Sequence, residues 1–156
     1  MLPLQPSPRP RIKVRPAPLV KSIVRPDAIY LPPDEVLIEG ELLSRDLHSY
    51  LRQAWTLLES RTAFKDNWHI GAVCEHLQAQ SMGQIQKLLI NEPFKCLKSI
   101  STCVAWPSWE WTRSPNTQWL FTAYAAALSL RDSVKCRTLI ESAWYRQRWG
   151  HVYQLV

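Results

Sequence analysis

Apolar residues recur at helical spacing through the middle of this chain. Leu47, Tyr50, Leu51, Ala54, Trp55 and Leu58 share one face of a helix predicted to start near Ser44. A second helix is predicted from Trp68 to Gln80, capped by Asp66 or Asn67, with Ile70, Val73, Cys74 and Leu77 inward and Gly83 after its end. Lys87–Asn91 is short and apolar, which reads as a strand with both faces covered. A helix then opens near Lys98 and runs through Ile100, Cys103 and Val104 until Pro107 kinks or ends it. Arg113–Asn116 is a turn signal, and Gln118–Tyr124 reads as a second strand. Ser129 and Asp132 have the spacing of a capping box, for a helix carrying Leu130, Val134 and Ile140, with a last helical turn ending near Gly150.

The order helix, helix, strand, helix, strand, helix implies an α/β fold. Two parallel strands joined by a helical crossover would be flanked by helices. Two strands make no stable open sheet, so either the domain is incomplete or partner strands lie in sequence outside this chain. No internal repeat is visible.

Composition places the charge. The chain has 156 residues, eight Trp, 46% hydrophobic content and a net charge of +6. Six of its 19 basic residues (Arg9, Arg11, Lys13, Arg15, Lys21 and Arg25) fall in residues 1–26, which hold no acid. The other 13 balance the 13 acids. The same stretch holds Pro3, Pro6, Pro8, Pro10, Pro16, Pro18 and Pro26, a density that forbids helix and favours extended chain. Residues 1–35 are therefore expected to be a disordered basic Pro-rich tail, and 36–156 the folded part. Such a tail suits acidic partners or nucleic-acid backbone, or serves only as a solubilising extension.

Residues 1–20 lack the apolar core of a signal peptide, and the apolar stretch around Leu120–Leu130 is too short and too interrupted to span a membrane. Cys74, Cys96, Cys103 and Cys136 show no C-x-x-C spacing and read as reduced, mostly buried thiols of a cytosolic protein. His69 and His76 lie two helical turns apart, so a zinc site with Cys74 is conceivable, although ordinary helix positions account for them. The Trp106, Trp109 and Trp111 group suits base stacking or, more simply, packing against the sheet.

The segment with most chemistry is Leu88–Ile100, LLINEPFKCLKSI. An apolar run, a proline-marked turn and Lys98-Ser99 opening a helix form the layout of a phosphate-binding loop, the Walker A arrangement. That layout directs backbone N–H groups at one point. The two glycines of the usual G-x-x-x-x-G-K-[ST] pattern are missing.

From about Val36 to Leu155 the chain resembles the N-terminal part of the large terminase subunit of tailed phages and prophages. RQAW (52–55), NWHIGAVCEHLQA (67–79), GQIQKLLIN (83–91), KS (98–99), WPSWEW (106–111), QWLFTAYA (118–125), SLRDSVKCRTLI (129–140) and SAWYRQRWG (142–150) carry the resemblance. It implies an ASCE-type P-loop ATPase fold that drives viral DNA translocation into a procapsid, with a separate nuclease domain. Against the family's Pro-Pro-Arg-x-x-Lys-Ser loop, Pro93 matches the first proline and Phe94 replaces the second. Lys95 stands at the Arg that faces the γ-phosphate, and Leu97 at the Met or Gly place. Lys98 matches the β/γ-phosphate Lys and Ser99 the magnesium-ligating Ser. Pro93, Lys95, Cys96, Leu97, Lys98 and Ser99 thus form the implied phosphate site, with Trp68 and His69 near the adenine and Glu92 beside the phosphate path. ATP and Mg2+ are the implied cofactors. Double-stranded DNA, the portal of the procapsid and the small terminase subunit are the implied partners, in the bacterial host cytoplasm and not at a membrane.

Two parts that such a motor needs are missing: the acid pair at the end of a later strand and the nuclease carboxylates. The expectation is a truncated terminase subunit, inactive alone in ATP hydrolysis and DNA cleavage. The alternative is a non-enzymatic prophage remnant or an interaction protein for DNA or a packaging partner. An independent kinase-like enzyme also lacks its acid pair.

Overall fold

A computed structural model describes residues 33–153. Residues 1–32, and with them nearly all of the Pro-rich tail, lie outside the described residues. The end of the expected tail is helical: Pro33 precedes α1 (Asp34–Arg45), and Asp34 and Glu35 form its first turn, where acids complement the helix dipole.

Asp46 ends α1 in an extended conformation and starts α2 (Leu47–Leu58). Its carboxylate accepts the backbone N–H groups of His48 at 3.3 Å and Ser49 at 3.0 Å. This cap moves the helix start to Leu47 from the expected Ser44, which is still in α1. The expected inner face of α2 is correct, with Leu47, Tyr50, Leu51, Ala54 and Trp55 buried. Asn67 caps α3 (Trp68–Ser81), accepting the Trp68 N–H at 2.8 Å, and Ile70, Cys74 and Leu77 are buried.

Pro107 does not end its helix. Three pieces run on without a break: α4 (Lys98–Ile100), a π-helical turn (Ser101–Ala105) and α5 (Trp106–Glu110). The wider turn has a physical reason. Proline has no N–H, and its ring would meet the carbonyl four residues back in a tight helix. The Trp106 N–H instead reaches five residues back, to the Ser101 carbonyl. The Ser108 hydroxyl lies 2.7 Å from the Val104 carbonyl and 2.9 Å from that of Ala105. It also accepts the Tyr50 hydroxyl at 2.9 Å, while the Ser108 carbonyl accepts that of Tyr145 at 2.6 Å. This buried group ties α2, α5 and α7 (Ala143–Trp149) together.

The last long helix, α6 (Ala126–Glu141), starts three residues before Ser129, so Ser129 is not its cap. Ala126 and Ala127 favour helix strongly enough to extend it upstream. Its buried residues are Cys136 and Leu139, whereas Leu130 and Val134 are 66% and 54% exposed. The core gathers α1, α2, α3, the π turn, α5, α6 and α7 in one cluster around Trp109, Tyr50 and Tyr145.

The expected α/β fold is corrected here. Among the described residues there is no strand and no sheet. Neither Lys87–Asn91 nor Gln118–Tyr124 enters a ladder, and the parallel strands of an ASCE-type P-loop domain are not formed. An apolar run becomes a strand only when another edge supplies its hydrogen bonds, and these two runs find none. The tryptophans expected to pack on a sheet pack on helices: Trp109 is fully buried, and Trp106 and Trp111 are half-buried. No helix of the described residues is long and apolar enough to cross a membrane.

Candidate functional site

The phosphate-loop candidate leaves the apolar run at Pro93 and enters α4 at Lys98. It holds the only two non-glycine residues with positive φ among those described, Lys95 at 70° and Leu97 at 64°. Leu97 stands where the usual pattern has its second glycine, and it takes the left-handed conformation that a glycine would take. Left-handed residues set between ordinary ones turn successive N–H groups toward one concavity, the arrangement of an anion nest. The helix entrance is fixed by the Ser101 N–H and hydroxyl, both donating to the Leu97 carbonyl at 2.9 Å and 3.1 Å.

Such conformations cost about 1–3 kcal/mol each in residues with a Cβ. Leu97 is half-buried and packs on the core, which offsets part of that. Lys95 is exposed, and its ammonium only reaches the equally exposed Phe94 ring at 5.7 Å, which returns less. Lys95→Gly is therefore expected to raise stability by about 0.5–1 kcal/mol in urea titration, because it relieves the left-handed strain and loses only an exposed contact with Phe94. A loss of stability would show that the Lys95 side chain holds the loop.

Beside the loop lies a groove of about 490 Å³. One wall is α3, with Trp68, His69, Ala72, Val73 and His76; the other is residues 88–93 with Cys96. A groove of this size with mostly apolar walls suits a small organic ligand. Trp68 is 81% exposed at the rim and stands edge-on to His69 at 6.1 Å.

Of the residues expected from the sequence, Trp68, His69, Pro93 and Cys96 meet in this one groove. Lys95, Leu97, Lys98 and Ser99 do not line it but continue the loop from its Pro93–Cys96 end. Lys98 is exposed and makes no ion pair among the described residues, so its ammonium is available to a ligand. Ser99 is half-buried at the second position of α4.

Sequence reasoning missed the rest of the wall. Leu88, Leu89 and Ile90 line it, and Glu92, expected beside the phosphate path, joins them with its Oε2 buried and without a hydrogen-bond partner among the described residues. No sequence signal marks a single Glu as buried. His76 could have been placed from its two-turn offset from His69.

The conceivable zinc site is not formed. Among the described residues no group of three or more His, Cys, Asp or Glu could hold a metal. Cys74 faces the core on α3, away from the groove, and burial pushes its thiol up to about 12. A protonated thiol is a poor metal ligand. All four cysteines are free.

The fold and groove define a small helical domain with a glycine-free loop, left-handed at Lys95 and Leu97, at one end of an aromatic-rimmed cleft. No family model, no curated protein and no solved structure matches the chain.

Proposed function

We propose that the chain binds a nucleoside triphosphate with magnesium across this groove, as the nucleotide-binding part of a terminase-like DNA-packaging motor. One observation carries the proposal. Trp68 and His69 line the same groove as Pro93 and Cys96, and the loop that leaves this groove is left-handed at Lys95 and Leu97. A base would rest on Trp68 and His69, and the phosphates would follow the loop toward Lys98. Lys98 would hold the β/γ-phosphates, Ser99 the magnesium ion and Lys95 the γ-phosphate. Glu92 sets a carboxylate beside that path and makes magnesium a requirement, since a bare triphosphate would be repelled.

Hydrolysis is not part of the proposal. The only two adjacent acids in the sequence, Asp34 and Glu35, form the first turn of α1. No acid pair follows an apolar strand. Double-stranded DNA, the procapsid portal and the small terminase subunit, in the bacterial host cytoplasm, belong to the same proposal and rest on the sequence resemblance alone.

Calorimetric titration of the full chain with MgATP tests it. Saturable binding is expected, weakened about ten-fold or more by Lys98→Ala, because a charge-assisted hydrogen bond contributes about 1.5–3 kcal/mol. Lys98 is exposed, so the variant should melt as the parent does. Absent binding, or binding that Lys98→Ala leaves untouched, would sink the nucleotide reading. The non-enzymatic interaction reading would then take its place.

A further inference from the structure

A second cavity, of about 240 Å³, is walled by Trp111, Pro115, Ile140, Tyr145 and Tyr153. None of these five lines the groove beside α3. Three helices supply the wall. Trp111 follows α5, Ile140 stands at the end of α6, and Tyr145 lies in α7, with Tyr153 shortly beyond it. The Tyr145 and Tyr153 rings lie with centroids 5.7 Å apart and planes inclined at 56°.

The wall carries three side-chain donors, and each already donates to a backbone carbonyl. Trp111 Nε1 donates to Thr117 at 2.8 Å, the Tyr145 hydroxyl to Ser108 at 2.6 Å and the Tyr153 hydroxyl to Ile140 at 3.0 Å. Burial pushes the Tyr153 phenol up to about 12 and the Tyr145 phenol further, so both keep these protons at neutral pH. Among the described residues, no acid, base or amide side chain lines the cavity. The side chains therefore offer apolar surface, aromatic rings and the lone pairs of two phenol oxygens.

Those groups select a ligand. An anion would find no donor here. A peptide main chain would leave its carbonyls dry and unpaired, which is costly. A quaternary ammonium is drawn to aromatic rings, but no carboxylate lines the wall, and the exposed Arg146 already sets a positive charge near Tyr153. A flat neutral ring system suits the walls, because aromatic pairs favour edge-to-face and offset contacts. The size agrees. An apolar cavity of about 150 Å³ takes benzene, so one of about 240 Å³ has room for two fused rings.

We infer that this cavity binds a small, flat, uncharged aromatic molecule of the indole class, with two fused rings, one N–H donor and no acceptor. The N–H would meet the phenol oxygen of Tyr145 or Tyr153. This site and the nucleotide reading do not depend on each other.

NMR of the full chain with labelled Ile and Val methyl groups tests the inference, with free indole as the probe. Indole should bind saturably with a Kd of about 1 mM or tighter, and should give NOEs to the Ile140 methyl groups. Tyr153→Ala removes one wall and should weaken binding about ten-fold. Indole-3-carboxylate, tetramethylammonium and N-acetyltryptophanamide should each bind about ten-fold more weakly than indole, or worse. The inference is overturned by binding that does not saturate, by NOEs to Val73 in place of Ile140, which would put the ligand in the α3 groove, or by unchanged affinity in a well-folded Tyr153→Ala chain. Should that variant melt early, the Ile140 NOEs decide alone. Carboxylate, ammonium or tryptophan amide binding as tightly as indole would assign the cavity to an anion, a cation or a partner's side chain, and would overturn it as well.

Discussion

Trp109→Ala is expected to remove about 3–5 kcal/mol of stability, the largest loss of any single core truncation here. Trp109 is fully buried at the centre of the core cluster. Its indole N–H donates to the Leu43 carbonyl at 2.9 Å, which joins α5 to the last turn of α1. On its other side the Arg113 guanidinium stacks over the ring at 3.8 Å from the centroid. Alanine would leave a large cavity and remove both contacts together. A domain of this size has about 5–15 kcal/mol in total, so the urea midpoint should fall by about a fifth or more, or the variant should not fold. Trp109→Phe separates the terms. It keeps most of the apolar volume and loses the indole donor, so it should cost about 1–2 kcal/mol. A Trp109→Ala chain within 1 kcal/mol of the parent would mean that Trp109 is not the hub of this core.

How much of this could be read from the sequence differs element by element. The α2 and α3 helices were legible because their buried residues are large, apolar and set at helical spacing, and because Asn67 is a strong cap. Helix α1 was not. Its inner face is made of Gly40 and Ser44 beside Leu43, while Ile38 and Leu42 are each 61% exposed. Gly40 is inward because a Cβ there would come within 3.1 Å of the Arg148 Cβ, so α1 and α7 meet at a position with no hydrophobic signal. The continuation through Pro107 was illegible for another reason. A π turn is a non-local compromise, formed because both halves of the helix are anchored in the core.

The two expected strands show the limit most clearly. Their apolar character is local and could be read from the sequence, but a ladder needs a second edge that no local pattern can supply. The site divides in the same way. The turn before Lys98 was legible from Pro93 and the helix start, whereas left-handed Lys95 and Leu97 carry no glycine to announce them. The joining of Trp68 and His69 to the loop was expected only through the terminase resemblance.

Alkali is expected to unfold this domain between about pH 10 and 12, in a transition set by buried thiols and phenols. Burial is the main cause in each case. It pushes the Cys74 and Cys136 thiols and the Tyr153 phenol up to about 12. It holds the phenols of Tyr50 and Tyr145 higher still, far above their ordinary range. In the unfolded chain the same groups lose their protons near pH 8.5 for Cys and near 10 for Tyr. The folded state therefore binds more protons than the unfolded state above pH 8.5, and stability falls as pH rises. The contribution is complete below the unfolded values and is lost on the way up to the folded ones. A thiol raised by about three units is worth about 4 kcal/mol when the loss is complete, so two thiols and the phenols together exceed the stability of an ordinary domain. Far-ultraviolet circular dichroism and tyrosinate absorbance should therefore change together on titration, with Tyr50 and Tyr145 ionising only as the helices melt. Cys74→Ala should make the approach shallower between pH 9 and 11, whatever it costs at neutral pH, because one of the linked protons is gone. Tyrosines that all ionise near pH 10 while the helices persist would show that Tyr50 and Tyr145 are not sealed in the core around Ser108.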